Sequence, residues 1–310
     1  SDVSSETLRP PQAAFDDLAI GYTTTPPADL RAPLRRHLGY VVRLLDSRKT
    51  LAQHRQLLIT GGWLAMLTAT VEIDLLHTRT GLAYLRVARD MAQQAEHAEL
   101  LAWTIETEAW HRLTVGDYAT ALALSQQAQA VAPRGSSAHI QATAQEGRAL
   151  ARMGRVQETH DALSRTARLV GPMTPPDRPE HHYQYDPGKQ IAYVATTLSW
   201  IGDPAAVDYA RSVVDQLAAE PVTRPRRVAS ARLDLALALV GVGDFDEAAA
   251  QATAAVTSGR VVASNWWRVR EIVRRIEGIS APEAVELREA VEAYRPGHAP
   301  RESSMGLPAE

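Results

Sequence analysis

The sequence predicts an all-α protein built as a stack of helical hairpins, an α-solenoid of about five to six helix pairs. Three observations carry that prediction. Alanine and leucine dominate the hydrophobic 45% of the chain, while phenylalanine stands only at Phe15 and Phe245. Such a composition suits close helix packing and lacks the aromatic and β-branched runs of a β-sandwich. Apolar residues recur at helical spacing from Asp29 to about Ile279, and the breaks between these stripes repeat one short turn pattern.

Taken in order, positions 1–27 carry Ser, Thr and the paired prolines Pro10, Pro11, Pro26 and Pro27. They read as a linker with one short docked segment anchored by Phe15, Leu18 and Ile20. The repeat domain spans 28–280. It opens on Asp29 as an N-cap, followed by the stripe Leu30, Leu34, Leu38, Val41, Val42 and Leu45. A short terminal helix is expected over 281–295, in APEAVELREAVEAY, and a disordered polar tail over 296–310.

Two copies of the turn agree position for position. In GDYATALALSQQAQAVAP, Gly116, Asp117 and Tyr118 turn the chain, Ala121 and Ala128 lie seven apart, and Pro133 ends the helix. In GDFDEAAAQATAAV, Gly243, Asp244 and Phe245 turn it, and Ala248 and Ala255 keep the same interval. Small residues there let two helices cross closely. Ala109, Gly147, Ala195 and Ala236 stand seven residues before their turns, where the first helix meets the second. Turns placed at Gly81, Gly116, Gly154, Gly202 and Gly243 are separated by 35, 38, 48 and 41 residues.

These features resemble the tetratricopeptide repeat, a helix-turn-helix unit of about 34 residues. Glu108 and Arg112 depart from its pattern where leucine and tyrosine are usual. The segment GPMTPPDRPEHHYQYDPG, 171–188, lengthens one unit and is no standard inter-repeat turn. Together with the residues after it, HHYQYDPGKQIAYVATTLSWIGDP is similar to a stretch in the C-terminal repeat regions of actinobacterial helix-turn-helix transcriptional regulators of the Xre type. The resemblance covers 28–280. It implies a ligand-sensing and dimerising domain of a transcriptional regulator, with a small-molecule or peptide effector, a homodimer, and DNA contacted only through a helix-turn-helix module that this sequence does not contain. The alternative is a stand-alone tetratricopeptide scaffold holding a partner protein's peptide segment.

In such an array the first helix of each pair lines the concave surface. Counting back from Gly116 gives Trp103, Glu106 and Trp110; from Gly154, Gln141, Arg148 and Arg152; from Gly202, Lys189, Thr196 and Trp200. Together they make a groove for a planar or acidic ligand, unless the tryptophans serve interhelical packing instead. His181, His182, Tyr183, Tyr185 and Asp186 form a candidate lid, with loop packing as the alternative. No metal site is expected, because adjacent histidines point apart and no third ligand has motif spacing.

Catalysis finds no support. The nucleophile elbow, the dinucleotide fingerprint and the phosphate loop are all absent from the sequence, so neither an enzyme nor a cofactor is expected. A net charge of -3 argues against nucleic-acid binding by this segment, beyond a local patch such as Arg224, Arg226 and Arg227. With no cysteine and no uninterrupted apolar run near the roughly 20 residues of a membrane span, a cytoplasmic protein away from membranes is the expectation.

Overall fold

The computed structural model describes residues 5–219 and 224–296, and among these there is helix and no strand. Two N-terminal helices, α1 (Ser5–Gly21) and α2 (Pro27–Leu45), precede five hairpins. These are α3 (Leu51–Asp74) with α4 (Thr78–Gln94), α5 (Ala98–Thr114) with α6 (Tyr118–Val131), α7 (Ser137–Arg152) with α8 (Val156–Val170), α9 (Gly188–Trp200) with α10 (Ala205–Ala219), and α11 (Pro225–Val242) with α12 (Phe245–Thr257). A short 3-10 turn, Ala263–Asn265, leads into α13 (Trp266–Arg275), which packs on α11, and α14 (Pro282–Tyr294) packs on α12. The expected tail, 296–310, lies outside the described residues beyond its first position.

One backbone device makes every hairpin. Gly116, Gly154, Gly202 and Gly243 take φ values of 87°, 71°, 72° and 82°. The next N–H reaches back five residues, as Asp117 N–H does to the Arg112 carbonyl at 2.9 Å and Asp244 N–H to the Leu239 carbonyl at 3.0 Å. This closure satisfies carbonyls that a helix end leaves bare, and glycine enters the left-handed region without a Cβ penalty. The aspartate that follows caps the next helix: Asp117 accepts from Thr120 N–H and Asp244 from Glu247 N–H, each at 3.3 Å. The Gly-Asp pair is therefore one residue to end a helix and one to begin the next.

The turn expected at Gly81 is elsewhere. Leu76, at φ 64°, takes the left-handed position between α3 and α4, and His77 N–H closes onto the Glu72 carbonyl at 2.8 Å. Gly81 instead sits in the first turns of α4, where an added Cβ would come within 2.7 Å of Ile73 Cγ1 and 3.1 Å of the Ala69 carbonyl. The glycine marks a close helix crossing, not a turn. Elsewhere the small residues stand where expected: Ala109, Ala121, Ala128, Ala236, Ala248 and Ala255 are fully buried.

The linker expected over 1–27 is largely helix. Pro10 and Pro11 lie in the second turn of α1, and Phe15, Ala19 and Tyr22 are buried in the same core as α3. Proline inside a helix costs on the order of 3 kcal/mol; burial of two aromatic rings and an alanine offsets a cost of that order. Helix α3 is buried on nearly all sides, Gly61 and Gly62 admitting Met91 and Leu100 against its backbone. It is the one described helix long and apolar enough to cross a bilayer, and 83% of its apolar window is buried inside the protein.

Candidate ligand cavity

The first helices face inward, and the stack closes on itself. Asp74, at the end of α3, accepts a hydrogen bond from Ser264 Oγ at 2.6 Å, just ahead of α13. It also accepts from Tyr22 Oη at 2.5 Å and from Arg226 Nη2 of α11 at 2.8 Å. Arg226 reaches the Tyr22 carbonyl as well and lies over the Tyr22 ring, 4.4 Å from its centroid. Burial above all, and then the Asp74 charge, hold the Tyr22 phenol well above its ordinary pKa, so it remains a donor. First and last hairpins are thus tied through one buried carboxylate.

The segment between α8 and α9 covers the cavity from another side. Tyr183 packs against Phe15, Trp63 and Trp103, with ring centroids 6.0, 5.2 and 5.3 Å away, and its hydroxyl meets Thr70 Oγ1 at 3.1 Å. The adjacent histidines part as expected. His181 lies edge-on to Phe15 and 3.5 Å from Asp16, whereas His182 lies against the Tyr22 ring and donates its backbone N–H to the Ala19 carbonyl at 3.1 Å. Tyr185 is buried with its N–H on Ser137 Oγ at 3.0 Å, and Asp186 pairs with Arg227 at 3.7 Å.

What these elements line is a half-open pocket of about 300 Å³, at the small end of the range seen for ligand sites. Of the residues expected in the groove, Trp103, Glu106, Trp110, Gln141, Arg148 and Thr196 line it, as do His182 and Tyr185 of the candidate lid. Arg152 and Trp200 do not. They form a second cluster beside it, Arg152 bridging to Glu271 of α13 at 2.9 Å and stacking on Tyr118, Trp200 and Trp267. They stand only two residues before their turns, beyond the stretch of each helix that meets the cavity. His181 and Tyr183 support the wall from behind. The backbone of Lys189 lies in α9, and its side chain is outside the described residues.

The cavity also takes Tyr22, Asp74, Tyr193, Asp234 and Arg268, which the sequence did not single out, and Arg226 and Arg227, which it marked only as basic residues. A signal for several of them was available. Lining residues stand 13, 10, 9 or 6 positions before the left-handed turn: Trp103, Glu106, Thr107 and Trp110 before Gly116, and Gln141 and Arg148 before Gly154. These offsets define one helical face. Applied to Gly202 they give Tyr193, to Gly243 Asp234, and to Gly278 Asn265 and Arg268.

No family model matches the chain, and no curated protein does.

The electrostatics centre on α5 and α7. Glu106 is buried, accepts from Gln141 Nε2 at 3.2 Å, and its carboxyl is raised to about 7 by burial, against the opposing influence of Gln141 and Arg148. Gln141 also donates to Tyr193 Oη at 2.8 Å. Arg148 is 4% exposed, and burial lowers its guanidinium to about 10. Among the described residues its one hydrogen bond goes from Nη1 to Gln145 Oε1 at 3.2 Å, and Nε has no partner. The other lining arginines each have an acid: Arg226 has Asp74 at 2.8 Å, Arg227 has Asp186 at 3.7 Å, and Arg268 has Asp234 at 3.4 Å. The basic triplet noted in the sequence is therefore neutralised internally, Arg224 pairing with Glu180.

Proposed function

We propose that this chain is the ligand-sensing, dimerising repeat domain of a transcriptional regulator, of tetratricopeptide type, that takes a small molecule in the cavity described above. The observation that carries the binding reading is Arg148, a buried guanidinium in a cavity wall with no acidic side chain paired to it among the described residues. A buried unpaired charge costs several kcal/mol, and a cavity that retains one gains most when an occupant supplies the counter-charge. The tie at Asp74 between the first hairpin and the last favours a small molecule over the scaffold alternative, because an extended peptide needs a groove that runs on uninterrupted. The regulator assignment rests on the sequence resemblance, and dimerisation follows from the two-fold symmetry common to operators.

Thermal-shift screening of the protein against a library of small organic acids, amines and short peptides tests the reading. Small molecules that raise Tm, and lose that effect when Gln141→Ala is introduced, support it. Stabilisation by peptides alone would transfer the assignment to the scaffold. Light scattering on the liganded and free protein reads the dimer, and translation of the coding frame upstream of Ser1 reads the DNA-binding module.

A further inference from the structure

The arrangement around Arg148 restricts what an occupant can be. A guanidinium offers five N–H donors in one plane. Arg148 lies over the rings of Tyr193 and Trp200, 5.5 and 5.2 Å from their centroids, and contacts of that kind leave the N–H edge of the plane for hydrogen bonding. One donor is spent on Gln145, and Nε is buried without a partner. What stays available is the edge of the fork, and the group that fits an edge is a flat two-oxygen acceptor. Charge sets the valence. Arg226, Arg227 and Arg268 are each matched by an aspartate, and with Glu106 also in the wall the lining holds at most one net positive charge, which a phosphate monoester at about -1.5 to -2 would exceed. Size and wall composition complete the description: about 300 Å³, with Trp103, Trp110 and Tyr193 among the lining residues.

We propose that the cavity is built for a small aromatic monocarboxylic acid, its carboxylate seated on the edge of Arg148 and its flat body against Trp103, Trp110 and Tyr193. This rests on the reading of the cavity as a ligand site. Glu106 assists by remaining protonated at mildly acidic pH, which leaves the Arg148 charge to the occupant.

Titration calorimetry on the intact chain with four probes, indole-3-acetate, indole-3-acetamide and indole, which share one ring system, and hexanoate, tests the proposal. The acid is expected to bind at least about tenfold more tightly than the amide, the ratio that loss of one charge-assisted hydrogen bond pair produces. Arg148→Met is expected to abolish that preference and, by removing an unmatched buried charge, to raise the melting temperature of the unliganded protein. Amide or indole binding as tight as the acid overturns the carboxylate assignment while leaving the cavity a ligand site. Hexanoate binding as tightly as indole-3-acetate overturns the aromatic part. Binding by none of the four, with the Arg148→Met melting temperature unchanged, overturns the ligand-site reading together with this one.

Discussion

Replacing Asp74 by asparagine should open the closed stack, because that carboxylate is the joint between its two ends. Asp74 is 1% exposed and takes hydrogen bonds from Tyr22, Ser264 and Arg226. Asparagine keeps one acceptor oxygen, turns an N–H₂ group toward donors, and leaves Arg226 buried without its counter-ion. Breaking one side of a buried ion pair costs about 3 to 5 kcal/mol, and that is the loss expected for Asp74→Asn in urea unfolding followed by circular dichroism. Hydrogen exchange then distinguishes a joint from an ordinary buried pair. Protection should fall in α13 (Trp266–Arg275) as well as in α3, although 190 positions separate Ser264 from Asp74. A loss under about 1 kcal/mol, or a loss of protection confined to α3, would refute the idea that Asp74 holds the ends together.

Other expectations follow from single sites. Glu106 has a folded-state pKa of about 7 against an ordinary 4.5, so its protonation favours the folded state below about pH 4.5 no differently than glutamine would, and the ionised form opposes folding as pH rises from there through about 7. Glu106→Gln should therefore add up to about 3 kcal/mol of stability above neutrality and nothing in acid, read from unfolding curves across pH. The charged and titratable groups facing Glu106 are Arg148 of α7, Tyr193 of α9 and Tyr183 of the covering segment; all keep their charge state over that range, so a pH profile unchanged in Glu106→Gln would locate the titration elsewhere. Gly81→Ala should cost about 1 to 3 kcal/mol through overpacking against Ile73 and the Ala69 carbonyl, and a neutral result by thermal unfolding would mean that α3 and α4 can part freely. Arg152→Ala should lower stability by about 2 kcal/mol through loss of Glu271 and three aromatic contacts, read from urea unfolding, and an unchanged midpoint would mean that other contacts hold α13 to α7.

Much of the all-helical architecture was legible because its signals are local. The Gly-Asp pairs at Gly116 and Gly243 combine a left-handed turn with an N-cap, and buried alanines seven apart mark the crossings. The α3–α4 turn was not legible, because Leu76 occupies a left-handed position that sequence alone assigns to glycine, and the nearby Gly81 drew the turn to itself. Helix α1 was hidden by its prolines, whose cost is offset by contacts with α3 that no local pattern records. In the cavity, residues at fixed offsets before glycine turns were accessible, whereas Tyr22, Asp74 and Arg226 were not, since they meet only when the stack closes.

That closure decides how an occupied cavity can be felt elsewhere. A straight stack passes strain only between neighbours, so a ligand on one hairpin would leave the far end unchanged. Here residues of α3, α5, α7, α9, α11 and α13 line one volume, and Tyr22 of the N-terminal segment joins them. An occupant that pulled Arg148 toward itself would act on α7, which is tied by Arg152 to Glu271 of α13, while α13 follows directly on Ser264 and its bond to Asp74. On the proposed sensing role, the quantity a ligand must supply is then a difference in affinity between the closed stack and a slightly opened one. The Asp74 bonds are where that difference is set, because Tyr22, Ser264 and Arg226 all meet that one carboxylate and an opening of the stack parts them together.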